Sequence, residues 1–341
     1  MLPPEIQRIV LLIALAAVGY LLILAWTEDM EAAKAPMVYS DSPVLSQQPL
    51  AAQSDRPVVD EFAPIDSDIA PVPQAPVTQP AVGKGRLVKV ETPVLEVWID
   101  LLGGDIARVQ LPTYPISLEQ PDTPFLLMDR SASRTYIAQS ALIGSDGIDK
   151  TGTRPLYEAA SDSLTLTEGG ELVLTTTLDD ARVSKIFAFE PDSHLINIRY
   201  EVVNLATRSK TMRLLTQIKR DRLPPPTDET VPLAPSPYLG GALTTPDNNY
   251  KKVDFDDLDE GNFQASAIGG WMAFLQHYFL TAWVAPSDQA TNYLARKTSD
   301  GFYLFGFTGQ NQSIQPGATG IWRADFYAGP KDQVVLETIA P

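Results

Sequence analysis

Hydrophobic and polar positions follow three different patterns along the chain. Ile9 to Trp26 is an unbroken apolar run, IVLLIALAAVGYLLILAW, 18 residues without a charge. As a helix rising about 1.5 Å per residue it spans roughly 27 Å, close to the ~30 Å hydrocarbon core of a bilayer. Arg8 precedes the run, Glu28, Asp29 and Glu31 follow it, and Tyr20 and Trp26 lie towards its far end. This pattern predicts a transmembrane anchor within residues 1–30, in contact with lipid through residues 9–26. The lone basic flank places the N-terminus inside and the remainder outside. A cleaved signal peptide has a shorter apolar core of about 7–15 residues with a small-x-small site close behind. Here the nearest such site, Ala33-Lys34-Ala35, lies beyond the acidic cluster.

From Glu31 to Gly85 no period survives. Prolines stand at positions 36, 43, 49, 57, 64, 71, 73, 76 and 80. Each removes a backbone donor and fixes φ, so neither helix nor sheet runs through. Residues 31–85 therefore read as a flexible, semi-extended tether.

After Gly85 the pattern becomes alternation. Leu95, Val97 and Ile99 alternate with Glu96, Trp98 and Asp100, and Ile196, Ile198, Tyr200 and Val202 with Asn197, Arg199 and Glu201. Met212, Leu214 and Ile218 share a parity against Arg213, Gln217 and Lys219. Trp322, Ala324, Phe326 and Ala328 do so against Arg323, Asp325 and Tyr327. Period two predicts half-buried strands, with turns at Gly103-Gly104, Asp146-Gly147, Gly169-Gly170 and Asp300-Gly301. Residues 86–341 thus predict a mainly β domain, a large antiparallel sandwich. Gly269 to Ala285, GGWMAFLQHYFLTAWVA, is apolar on nearly every face. Helical spacing fits it as well as two short buried strands, and aromatic density and the preceding glycines favour strands. Its Trp271 and Trp283 are expected in the core. Lys331 to Ala340 predicts a short terminal helix with Pro330 at its first position and Val334, Val335 and Thr338 on one face.

Composition narrows the chemistry. With 26 basic and 42 acidic residues the formal charge is −16, which argues against nucleic-acid binding. There is no cysteine, so disulfides, thiolate metal sites and Cys nucleophiles are excluded. With only His194 and His277, a three-histidine metal centre is impossible.

Several stretches carry a resemblance. GGWMAFLQHYFLTAW (269–283) closely resembles the signature of the large periplasmic domain of the YidC membrane protein insertases of Gram-negative bacteria. GGDIARVQLPTYP (103–115), RPLY (154–157), GGALTTPDNNYKKVDFDDL (240–258) and QPGATG (315–320) agree in order. The resemblance implies a β-supersandwich of the galactose-mutarotase type with a terminal helix packed on it. It also implies an inner-membrane insertase and chaperone that works with or without the Sec translocon. The implied partners are the translocon, its accessory subunits and nascent inner-membrane proteins. Family members continue into five further membrane helices that form a hydrophilic groove with a basic residue, and these 341 residues contain none of that. The chain is thus expected to be the non-catalytic periplasmic portion, acting by protein–protein contact.

The alternative is a periplasmic carbohydrate-binding or mutarotase-like enzyme domain, which needs a histidine acid and a carboxylate base converging on a cleft. His277 reads as a half-buried member of the aromatic run and His194 as a turn residue. Asp256, Asp257, Asp259 and Glu260, near Lys251 and Lys252, lack the spacing of a calcium loop and read as a solvated loop. A cleft lined by Trp and Tyr, or the Pro-rich loop Leu223 to Tyr238, would suit a partner. No catalytic, cofactor-binding or metal residue is assigned, and no cofactor is expected.

Overall fold

The computed structural model describes residues 86–150, 153–225, 238–245 and 248–339. The predicted anchor and linker, and most of the Pro-rich loop, lie outside the described residues. No helix among the described residues is long and apolar enough to cross a membrane.

The strands, in chain order, begin with β1 (Leu87–Glu91), β2 (Glu96–Asp100), β3 (Asp105–Ser117), β4 (Gln120–Arg130) and β5 (Thr135–Ile143). There follow β6 (Glu158–Ala159), β7 (Ser163–Thr165), β8 (Gly170–Leu178), β9 (Ala181–Phe189), β10 (Leu195–Asn204) and β11 (Lys210–Arg220). Next come β12 (Gly240–Thr245), β13 (Asn248–Val253), helix α1 (Phe255–Glu260), β14 (Phe263–Ile268), β15 (Trp271–Leu275) and β16 (Phe279–Val284). The last are β17 (Ala290–Lys297), β18 (Tyr303–Thr308), β19 (Gln312–Ile314), β20 (Thr319–Pro330) and helix α2 (Gln333–Ile339).

These strands make two sheets. One is ordered β14-β17-β18-β11-β5-β4-β3-β2-β1-β7, with β19 also on β11; the other is β13-β12-β15-β16-β20-β10-β9-β8-β6. Among the described strands only β1 and β7 pair in parallel. The alternation works as its period requires. Val97 and Ile99 from the first sheet, and Ile196, Ile198, Tyr200, Val202, Trp322, Ala324 and Phe326 from the second, belong to one buried cluster. Their polar neighbours Asn197 and Arg323 face outward, exposed. β11 is the seam of the first sheet: one side pairs with β5 and the other with β18.

The apolar run from Gly269 to Ala285 is the hairpin β15–β16, and its burial on both faces has two causes. Met272, Phe274, Phe279 and Trp283 enter the core between the sheets. Ala273, Leu275, Leu280 and Ala282 lie in a second cluster, against which Leu336 and Ile339 of α2 pack. Trp271 belongs to this outer cluster and is only partly buried, so it is not the core residue expected, whereas Trp283 is. The same helix explains Tyr327, which the alternation put on the polar face and which is buried. α2 also turns differently from expectation. Leu336 and Ile339 face the sheet, while Val334 and Val335 are exposed. Pro330 ends β20, and the Asp332 carboxylate accepts from the Val334 N–H at 3.0 Å, starting the helix there.

Two further polar positions are buried against expectation. Gln217 donates to Gln139 at 3.0 Å, and Lys219 lies 4.7 Å over the Phe302 ring. A buried amide is tolerated because it is hydrogen-bonded, and a buried ammonium stem because it covers apolar surface.

Candidate functional site

Two stretches distant in sequence meet in a buried charged centre. Gly103 and Gly104, at φ +80° and +66°, turn the chain between β2 and β3. Both conformations favour glycine, and space demands it as well. A Cβ on Gly103 would fall on the Arg154 guanidinium, and one on Gly104 would lie 2.7 Å from Cδ of Lys185. The Gly103 N–H donates to the Pro155 carbonyl at 2.8 Å, which fixes the Arg154 segment against the turn.

The charges alternate. Arg86 and Arg130 reach Asp100 at 2.6 and 2.7 Å, Arg130 lies 3.8 Å from Asp105, and Arg154 meets Asp105 at 2.7 Å and Asp149 at 2.9 Å. Gln139 donates to Asp105 at 3.0 Å, and the Leu142 N–H donates to Asp149 at 2.8 Å. Arg154 also donates to the carbonyls of Gly103 and Ser140, at 3.1 and 2.8 Å. Lys185 comes from β9 in the other sheet and points at the same two carbonyls, at 3.0 and 3.4 Å. Its ammonium sits 5.0 Å from the Tyr200 ring and 5.4 Å from that of Phe187. The Tyr200 hydroxyl lies 3.1 Å from Ser140 Oγ, a second link between the sheets.

Burial opposes the charge of Asp105, but Arg154, Lys185 and Arg130 outweigh it and hold the carboxyl below its ordinary range. Burial opposes Arg154 too, and Asp105 and Asp149 reverse the sign and raise it. Three arginines thus balance three aspartates, and Lys185 is the surplus cation. Burial pulls it down to about 7 even though Asp105 raises it. Each carboxylate already accepts from an arginine, so the centre joins the two sheets rather than presenting a free base.

A pH dependence follows. Unfolded, Lys185 titrates near its ordinary 10.5, and folded near 7. Between those values the unfolded chain binds more protons, so stability rises as pH goes from about 7 to about 10.5 and falls on the way back. Below about 7 the lysine is charged in both states and adds no further slope. Lys185→Met is expected to flatten this segment of a plot of melting temperature against pH. Arg154 still satisfies both carbonyls in that variant, so folding survives. An unchanged slope would assign the titration to another group.

The histidines lie apart from this centre. His194 precedes β10, with its ring 6.3 Å from Tyr114 and 6.2 Å from Tyr327. It is a bend residue, as read, and burial lowers its pKa. His277 is exposed, not half-buried: it occupies the β15–β16 turn and stacks on Tyr278 at 3.9 Å. Phe279 joins this end of the molecule to Tyr114 and Phe125, at 5.3 and 4.3 Å. The buried Nε2 of His194 is hydrogen-bonded to no carboxylate among the described residues.

The acidic cluster is a helix rather than a loop. Asp257 accepts from the Asp254 N–H at 3.0 Å and starts α1. Asp256 pairs with Arg222, and Asp259 accepts from Lys297 and Tyr303 at 2.7 Å each. Lys251 and Lys252 lie over the rings of Phe263 and Tyr238 instead. Among the described residues no group of three or more His, Cys, Asp or Glu is placed to hold a metal.

The class of protein so defined is a large two-sheet, almost wholly antiparallel β-domain with a short C-terminal helix and a buried centre of paired arginines and aspartates. Solved structures similar to it include a galactose mutarotase related enzyme from Lactobacillus acidophilus, with a TM-score of 0.46 and 10% identity over 71% of this chain and 97% of that one. Another is a galactose mutarotase-like protein from Lactobacillus casei, with a TM-score of 0.47 and 11% identity over 72% and 99%. The chain belongs to the YidC periplasmic domain family, whose model matches residues 87–341. The membrane protein insertase YidC of Azotobacter vinelandii is 38% identical over 99% of this chain and 60% of its own length. That of Cellvibrio japonicus is 38% identical over 98% and 60%. The chain therefore spans about 60% of the length of these relatives. Both Gly103-Gly104-Asp105 and Arg154-Pro155-Leu156-Tyr157 lie inside the motifs that carry the resemblance, and the structure adds that they form one centre.

Proposed function

We propose that the chain is the N-terminal, extracytoplasmic portion of a YidC-type insertase and chaperone of the bacterial inner membrane. In this reading residues 1–30 anchor it with a cytoplasmic N-terminus, residues 31–85 are a tether, and residues 86–341 are a periplasmic mutarotase-like supersandwich. The domain works by protein–protein contact, with nascent inner-membrane proteins and with the Sec translocon and its accessory subunits. It is not an enzyme, binds no cofactor and contacts no nucleic acid. One observation carries this reading: the family match over residues 87–341 follows directly on an uncharged 18-residue span and a proline-rich stretch.

Carbonate washing of membranes tests the anchor. The chain is expected to stay in the pellet, because an apolar span of this length partitions into lipid. External protease is expected to release a resistant fragment beginning near residue 86. A soluble, shortened periplasmic species would overturn the anchor, and resistance throughout residues 31–85 would overturn the tether. Crosslinking from the domain to a nascent single-span membrane protein tests the contact, and its absence under conditions where insertion proceeds would count against it.

A further inference from the structure

Among the described residues the two sheets end in four strands, apart from the three-residue β19 that pairs with β11 alone, and three of the four are blunted. β6 has 2 residues and β7 has 3, and β13 carries Lys251 and Lys252. Short edges and edge lysines are the usual defences against pairing with another chain. The fourth edge, β14, reads Phe-Gln-Ala-Ser-Ala-Ile over six residues, with no charge and no proline. Its register with β17 runs unbroken from Phe263↔Ala295 to Ile268↔Ala290, so no bulge twists it away. β17 pairs with it on one side and no strand pairs with it on the other among the described residues, although β12 of the second sheet passes near it.

The ladder fixes which backbone groups are free. The Gly269 N–H donates to the Gln289 carbonyl at 2.8 Å, in step with the same register. Antiparallel pairs alternate between bonded and non-bonded, so Phe263, Ala265 and Ala267 bond to β17. Gln264, Ser266 and Ile268 then present N–H and C=O to the open edge. Their side chains are exposed, Ile268 at 74%. The odd residues Phe263, Ala265 and Ala267 are partly buried and packed against the core cluster. Lys251 lies over Phe263, so the open stretch runs from Gln264 to Ile268. The core therefore continues to the rim at two alanines, and one more strand would cover them.

We propose that β14 is a strand-addition site whose occupant is an extended, uncharged segment of another polypeptide with apolar side chains at alternate positions. The free backbone groups require an extended chain, and the alanine face beside the core requires apolar side chains of one parity. A second copy of this chain fits poorly, since each brings a net charge of −16. The inference specifies the contact in the function proposed above and rests on that reading for its setting.

The test uses the full chain in detergent micelles and an uncharged peptide, acetyl-SVTVTVTVS-amide, carrying a neutral fluorophore. Binding is expected to saturate, and amide exchange at Gln264, Ser266 and Ile268 is expected to slow about tenfold or more on peptide addition. A peptide N-methylated at two adjacent central residues is expected not to bind, because neither of its edges can pair. Ser266→Pro removes a donor on the open edge without touching the β14–β17 ladder, and is expected to abolish binding. If that variant does not fold, Ser266→Lys keeps the ladder, adds an edge charge and is expected to weaken binding. No saturable binding, equal binding of the methylated peptide, or protection mapping to β13 would overturn the proposal. Protection that grows with protein concentration and needs no peptide would instead identify a second copy as the occupant. Failure here with the chain still carbonate-resistant and still crosslinking to nascent chains overturns strand addition alone.

Discussion

Arg154→Ala is expected to lower the melting temperature of the chain by on the order of 10 °C. The substitution removes the partner that two buried carboxylates share. Asp105 and Asp149 keep some hydrogen bonds, from Gln139 and the Leu142 N–H, but lose the guanidinium that bridges them. Removing one member of a buried pair typically costs ~3–5 kcal/mol, because the survivor is left desolvated and uncompensated. In a domain of this size each kcal/mol moves the melting temperature by roughly 2–4 °C. A thermal scan by circular dichroism checks the shift, and a double-mutant cycle with Asp105→Asn checks its cause. If the loss comes from the uncompensated carboxylate, neutralising Asp105 as well recovers part of it. A drop of only a degree or two for Arg154→Ala would mean that water or Lys185 replaces the guanidinium. The contrast with Lys185→Met is sharp, since that variant discards the surplus cation and leaves all three carboxylates paired.

Trp283→Ala is expected to be as damaging, by a different route. Its side chain is fully buried between the sheets, 4.9 Å from the Phe326 ring. Truncating a buried aromatic costs ~3–5 kcal/mol through lost transfer energy and the cavity left behind. The neighbours belong to two paired strands, β16 and β20, which cannot both shift inward without breaking their ladder. Trp271→Ala on the outer face should cost far less. That ring is partly exposed beside Tyr250, 6.1 Å away, and its removal leaves a groove that solvent fills. Melting both variants side by side separates the two positions. Equal shifts would show that the outer cluster under α2 contributes as much as the core.

The sequence made the strands legible because a strand's side chains report its two environments directly. Ile196, Ile198, Tyr200 and Val202 needed no other information to be placed on the inner face. The charged centre was not legible in this way. Its members stand at positions 86, 100, 105, 130, 149, 154 and 185, just before β1, on four strands and in one loop, and period two says nothing about which charges meet across sheets. Gly103-Gly104 was visible as a turn, but its second role, leaving room for Arg154 and Lys185, depends on groups far along the chain. Tyr327 and Leu336 show the complementary limit. A polar-side tyrosine is buried only because a helix that starts six residues on folds back over it, and the helix turns its Leu336-Ile339 face inward only because that sheet face is apolar. The β14 edge lies between these cases: its lack of charge is plain in the sequence, but its position at the end of a sheet is not.

The seam at β11 has a consequence for how the domain is made. Its pairing with β18 joins residues 215–220 to residues 303–308, and β10 pairs with β20 across a still longer gap. Synthesis proceeds at ~5–20 residues per second, so β5 through β11 wait on the order of ten seconds before β18 exists to close the sheet. During that interval β11 is a long strand with one side unsatisfied, and the Gly269–Ala285 hairpin emerges with neither its core nor α2 to cover it. The domain cannot be assembled from its N-terminus inward, because it closes only when its last strands arrive. Whatever holds such a chain in the meantime has to tolerate open sheet edges for seconds, the kind of requirement that a slow, non-local topology places on its surroundings.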